Sequence, residues 1–453
     1  MTRRLQYLVV TLSSCLMGLL LMGLIMGRTN AADAGGPAYR HFDVFTEVIS
    51  KIKSEYVEEP NMQNVTFGAV NGLLESIDPY ASFLTADQYK QYLKSLETPK
   101  ADVGLILSRR FGYVSVVDAV PGSPADKLEL TTGDVIETIN TVSTRDMPLA
   151  SAQMLLQGDA GSTVELSVIR VRRSAEAQKV QLTREKIAMP AVTARMVSGD
   201  IGYVQVSSLE AGKAAQVAAK LKELSGQGAR KVVLDLRNNA GGTPEEGFAL
   251  ANLFLESGNI TYAVGQKVPR QDVKADPTKM MWKQPVVVMT NRGTAGGAEI
   301  AASALLDNKR GELVGERTYG DASMRKALTM EDGSAVILAI AKYYNAAGKA
   351  IQDNAVLPSL LVADAAEVPD GDDEEDDKKP ATATPAPATD KPAEDIQLKK
   401  AVEVLTAGLQ AAKNSDPKIK AQNPDKVAGP AAGPEGGTPE INPGRLNIPR
   451  PKQ

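Results

Sequence analysis

The sequence predicts an α/β fold that starts with helices, carries a mostly β domain and continues into a buried, largely parallel sheet. Three patterns support this. Apolar residues recur at three- and four-residue spacing between Phe42 and Leu96, short β-type runs dominate 103–184, and from Ile201 onward strands alternate with helices. The helical part reads FDVFTEVISKIKSEYV, then NVTFGAVNGLLESI, and stops at the turn Asp78-Pro79-Tyr80. The β part holds YVSVVDAV, DVIETIN and TVELSVIRV, interrupted by one helical stretch, LASAQMLLQG. The alternating part runs IGYVQV, AGKAAQVAAKLKELSGQG, KVVLDLR, EEGFALANLFLESG, PVVVMTN, GAEIAASALLDN, GELVGE and SAVILAIAKYY. Near-continuous apolar strands such as VVVM belong to a sheet covered on both faces.

Composition narrows the function classes. At 453 residues and 43% hydrophobic content, the chain is globular and long enough for two or three domains. Net charge is -4, and no basic stripe with interleaved aromatics occurs, so nucleic acid is not an expected partner. The one cysteine, Cys15, lies in the first apolar run, which excludes a disulfide or a cysteine zinc cluster in the folded part. No cofactor is expected. The one histidine, His41, is far in sequence from any nucleophile-like loop. A Ser-His-Asp hydrolase needs an imidazole beside its nucleophile, so His41 is read as an ordinary histidine.

The ends differ in character from the middle. After MTRR, Tyr7 to Met26 is an uncharged apolar run long enough to span a bilayer, with Arg3 and Arg4 on the cytoplasmic side. An uncleaved anchor over 1–31 is the preferred reading. TNAADAG also offers a signal-peptidase site, and Leu12-Ser13-Ser14-Cys15 faintly suggests a lipidation box, although the apolar run continues past Cys15. Each choice places the rest outside the cytoplasm, in a periplasm or cell envelope, and the preferred anchor holds it at the cytoplasmic membrane. The stretch 366–394 is acidic and then Pro/Ala-rich and reads as a disordered linker. An amphipathic helix over 395–413 and a Pro/Gly-rich tail over 414–453 follow it.

In the β part, Pro121-Gly122 turn after a strand, Ser123 caps a short helix, and Gly133-Asp134 turn into the next strand. The GSPA and GD elements at this spacing make 100–184 resemble a PDZ domain, with Leu128 and Glu129 where that family usually has Ala and Gly. The resemblance implies a peptide groove along Val103, Gly104, Leu105, Ile106 and Leu107. Loop N–H groups before the strand would hold a chain-terminal carboxylate and the strand edge would add the peptide as a further strand. Arg109 and Arg110 beside that groove would favour acidic peptides.

Two strand-turn-helix units, KVVLDLRNNAGGTPEEG and VVVMTNRGTAGGAEIAASALLDN, precede GERTYGDASMRKAL and AKYY. With the PDZ-like segment, these resemble the carboxy-terminal processing, or tail-specific, proteases over about Phe42 to Val362, roughly seven-tenths of the chain. Even the helix starting at Ile396 resembles that family's terminal element. The resemblance implies a helical region over 40–98 and a crotonase-like protease core over 185–365. It also implies oxyanion-type backbone at Gly241, Gly242 and Gly297.

That family cuts with a serine, a neutral lysine as base and a glutamine that orients the lysine. Here the three positions hold Gly296, Asp321 and Arg325, with spacing and flanks intact. Glycine supplies no nucleophile and Asp321 no amine. Asp321 and Arg325 either pair in the old pocket or face solvent. Thr294 and Ser323 stand nearby without an evident base, since the nearest lysine, Lys326, should point away from Arg325 along a strand. The expectation is a tethered, non-cutting relative that binds protein C-termini or unfolded polypeptide. The alternatives are an endopeptidase with a relocated nucleophile and a structural subunit of an active paralogue.

Overall fold

The structure, a computed structural model, describes residues 37–97, 100–110, 112–145, 147–170, 176–352, 354–363 and 395–415. The expected anchor, the acidic linker and nearly all of the tail lie outside these residues, as does the His41 side chain. Among the described residues no helix is long and apolar enough to cross a membrane. The chain divides into two units, Met1–Val70 and Asn71–Gln453. In the first lie α1 (Pro37–Glu55) and the start of α2 (Met62–Glu75). Phe42, Val44 and Val48 of α1 are exposed.

The second unit opens with the end of α2 and the Asp78 turn. Asp78 Oδ1 accepts the Tyr80 N–H at 2.9 Å and Oδ2 accepts the Ala339 N–H at 3.1 Å, so one buried carboxylate ties the turn to a distant strand. Next come β1 (Ser82–Leu84) and α3 (Ala86–Glu97). The mostly β domain follows with β2 (Leu105–Arg110), β3 (Tyr113–Ala119), α4 (Pro124–Lys127), β4 (Val135–Ile139), β5 (Val142–Ser143), α5 (Leu149–Leu156), β6 (Thr163–Ile169) and β7 (Ala177–Thr183). Its antiparallel order is β2-β3-β4-β6-β7, with β5 on β4, so β2 is an edge strand among the described residues. Ser123 caps α4 by accepting the Asp126 N–H, with Pro124 at the first helical position. Glu129, where glycine is usual, sits at φ 53°, in the region that favours glycine.

The core then runs β8 (Thr193–Ser198), β9 (Ile201–Gln205), α6 (Lys213–Gly226), β10 (Lys231–Asp235), α7 (Pro244–Asn252), β11 (Asn259–Val264), β12 (Gln271–Lys274), β13 (Val286–Thr290), α8 (Gly297–Asp307), β14 (Gly311–Gly315), β15 (Ser323–Thr329), β16 (Ala335–Tyr344), β17 (Leu360–Leu361), α9 (Ile396–Ala407) and α10 (Leu409–Asn414). Strands β9, β10, β13, β14 and β17 are parallel neighbours, and β8 adds an antiparallel edge. Period-2 alternation splits these strands between two apolar layers. Val232, Leu234, Val286 and Val288 pack with residues of α6, α7 and α8, whereas Val233, Val287 and Met289 pack with Ala401 and Val404 of α9.

One element departs from the expected rhythm. SAVILAIAKYY does not join the parallel sheet; as β16 it pairs antiparallel with β1, β11 and β15. The reason is the tight turn before it, where Met330 N–H donates to Ser334 O at 2.8 Å. A connection that short makes a hairpin, never a parallel crossover.

Candidate functional site

The two strand-turn-helix units place their loops side by side, because β10 and β13 are adjacent parallel strands with Asp235 opposite Met289. Asparagines lace the loops together. Asn238 N–H donates to Asn291 Oδ1 at 3.0 Å, Asn291 Nδ2 returns a bond to Asn238 Oδ1 at 2.6 Å, and Ala295 N–H donates to Asn239 O at 2.9 Å. Ligand sites of open α/β sheets form at such carboxyl ends of neighbouring strands.

Gly296 ends the second loop with φ 61° and ψ -122° and caps α8. That is the strained strand-to-helix turn that a nucleophile elbow uses to lift a side chain from a sheet. Here the turn is kept and the side chain is missing. Space for one remains: the nearest atom to a Cβ built there is Asp321 O, at 3.7 Å.

Glu299 joins this turn to the loop carrying Asp321. Fully buried in the first turn of α8, it accepts Gly296 N–H at 3.0 Å, Asp321 N–H at 2.8 Å and Gly320 N–H at 2.6 Å, and also the Thr318 hydroxyl. Burial pushes its carboxyl up to about 7, against the pull of these donors. Asp321 in turn forms an ion pair with Arg325, whose guanidinium stacks 4.1 Å above the centre of the Tyr80 ring. Of the two fates open to this pair, the structure has the paired one, since both side chains are about three-quarters or more buried. Burial, reinforced by Asp321, raises the Tyr80 hydroxyl well above its ordinary range. Gly296, Asp321 and Arg325 thus stand together.

The glycines expected to offer oxyanion-type N–H groups are constrained by packing as well. Gly242 has φ 108°, and a Cβ on it would fall 2.0 Å from the Leu209 backbone. A Cβ on Gly297 would fall 2.6 Å from Thr243 O. Gly241 is looser, with Ile106 Cδ1 of β2 at 3.6 Å from such a Cβ. Of the nearby hydroxyls, Thr294 is buried and committed, donating to Leu236 O at 2.8 Å and accepting Asn291 N–H at 3.0 Å. Ser323 Oγ is buried and has no hydrogen-bond partner among the described residues, and Lys326 beside it is exposed.

The β domain leans on this region through β2. Ser108 Oγ hydrogen-bonds Tyr319 Oη, and Tyr319 meets Tyr80 edge to face at 6.5 Å. Along the expected groove, Val103, Gly104 and Leu107 are buried while Leu105 and Ile106 are partly exposed. Two expectations there need correcting. Arg109 does not line the groove: it is buried and paired with Glu75 at 2.8 Å, because a guanidinium on the inner face of β2 must find a carboxylate. The loop N–H groups of Val103 and Gly104 are not open to a ligand, for both donate to Asp102 Oδ1, at 2.6 and 2.9 Å.

A family model described as peptidase family S41 matches residues 200–362, and one described as a PDZ domain matches 115–170. The carboxy-terminal processing protease CtpA of Bacillus subtilis is 29% identical over 348 residues, 76% of this chain and 72% of that protein. The chloroplastic C-terminal processing peptidase of Tetradesmus obliquus is 30% identical over 329 residues, 68% of this chain and 71% of that protein. The chain belongs to the carboxy-terminal processing peptidase family. A solved photosystem II D1 C-terminal processing protease superposes on this family member with TM-score 0.60 at 28% identity, covering 71% of this chain and 92% of that one. The fold is therefore the α/β architecture of that family, with helices before a PDZ domain and an S41 core.

Sequence reasoning assigned no role to Glu299, Tyr80 or Asp102. Glu299 had a signal, a lone acid in the otherwise apolar helix start GAEIAAS. Tyr80 had one too, standing with Ala81 where the resembling family commonly has His-Ser, whereas Asp102 had none beyond adjacency to Val103-Gly104.

Proposed function

We propose that this chain is a non-hydrolysing member of its family, held at the membrane outside the cytoplasm, that binds extended or unfolded polypeptide. One observation carries the reading: the elbow at residue 296 has no side chain, while the neighbouring base position is an acid paired with Arg325. Covalent catalysis needs a nucleophile and a group to take its proton, and neither stands at this turn. The kept elbow, the laced loops and the edge strand β2 support a binding role. The uncharged run from Tyr7 to Met26 supports the tether. The purified chain should leave an unfolded substrate uncut at high concentration and long times, and cell fractionation should recover it with membranes. A soluble form starting near Ala32 would remove the tether.

A second reading has one observation in its favour. Ser323 stands opposite Lys342 across the β15–β16 pair, which brings a hydroxyl and an amine onto one face. They make no hydrogen bond. Cutting that Ser323→Ala abolishes would establish this relocated dyad and overturn the non-hydrolysing reading.

A further inference from the structure

The loop before β2 is pinned from both sides. Asp102 exchanges two backbone hydrogen bonds with Glu185, each 2.9 Å, which fixes where its side chain starts. Gly104 has φ 81°, and a Cβ on it would fall 2.3 Å from Ser123 Cβ, so the loop lies tight against the cap of α4. Between these anchors the Asp102 carboxylate turns inward and takes the Val103 and Gly104 N–H groups on one oxygen. Burial raises this carboxyl above its ordinary value, and the Gly104 and Val103 bonds and the nearby Arg184 draw it back.

Two successive N–H groups pointing into a loop at the head of an edge strand are what a peptide-binding groove offers to a terminal carboxylate. Here a side-chain carboxylate already occupies them. A ligand carboxylate arriving at the same place would find its donors taken and a like charge beside it, and charges of one sign at such a distance discriminate strongly against a partner. The edge of β2 is unaffected, because its hydrogen-bonding groups lie downstream of the loop.

We infer that Asp102 acts as an internal stand-in for the terminal carboxylate, so that the β2 groove selects internal extended segments, or ends without a carboxylate, over free C-termini. This rests on the polypeptide-binding reading above and names the ligand class of that groove. The test uses the full chain in detergent and one labelled peptide with apolar last residues, made as free acid and as C-terminal amide, and titrated by fluorescence anisotropy. The unaltered chain should bind the amide at least as tightly as the acid. Asp102→Gly and Asp102→Ala, which free both N–H groups and remove the charge, should shift the preference toward the acid by about tenfold. A free-acid preference of that size in the unaltered chain overturns the inference and leaves the polypeptide-binding reading intact, whether or not the variants fold. Acid binding by the variants alone supports the inference and removes that reading for the native groove. Binding of neither peptide by any of the three removes both.

Discussion

Placing a side chain at residue 296 probes the elbow directly. Gly296 has φ 61° and ψ -122°, a sparsely populated conformation in which an L-residue costs roughly 1–3 kcal/mol more than glycine. No steric term adds to this, since the nearest atom to the new Cβ is Asp321 O at 3.7 Å. Replacing glycine also stiffens the unfolded chain, which returns about 0.4–1 kcal/mol. Gly296→Ala should therefore destabilise the second unit by about 1 kcal/mol net, lowering its thermal midpoint by about 2–4 °C. Differential scanning calorimetry reads this directly. Gly296→Ser should match Gly296→Ala in stability and still fail to cut an unfolded substrate, because the base position carries Asp321, paired with Arg325. Only with Asp321→Lys and Arg325→Gln added does the elbow regain an amine. Cutting by Gly296→Ser alone would refute the reasoning about the base, and a stabilised Gly296→Ala would refute the reasoning about the turn.

Glu299 should give the fold a pH signature. Its carboxyl is raised from 4.5 to about 7 by burial, so the folded state holds a proton that the unfolded state releases. The stability this contributes is full below about 4.5 and is lost as pH rises to about 7, a difference of up to about 3 kcal/mol relative to Glu299→Gln. Urea titrations of both proteins across that range check it, and a constant difference between them would count against the assignment. Glu129→Gly should stabilise the PDZ domain by about 0.5–1 kcal/mol, because it relieves φ 53° at the end of α4. A loss of stability on chemical denaturation would show that the Glu129 side chain does more than occupy the turn.

Much of this was legible in the sequence where a residue's environment is local or periodic. The runs VVVM and KVVLD announced buried parallel strands, and GSPA announced the capped turn of the PDZ domain. Gly296, Asp321 and Arg325, singled out by motif spacing, stand together in the fold. What escaped was set by distant partners. Nothing near Arg109 in sequence says that Glu75 will take its guanidinium inward. Nothing in ADVGLIL says that Asp102 folds back on the next two N–H groups, since an exposed aspartate reads the same. The place of β16 was missed for another reason: its apolar length resembles a buried parallel strand, and only the short hairpin to β15 decides otherwise.

Helix α9 has a consequence for how the protein is made. Asp395 receives two bonds from the Arg237 guanidinium, at 3.1 and 2.7 Å, while Gln397 accepts a third and donates its own to Val362 O at 2.8 Å. Through these anchors α9 covers Val233, Val287 and Met289 on one side of the parallel sheet. A chain that emerges N-terminus first therefore completes every strand of that sheet before the helix that shields it exists. For the time it takes to synthesise the stretch between 363 and 395, that apolar side lacks its cover. Termination anywhere in that stretch would leave it bare for good. Arrival of α9 is what closes that side of the sheet.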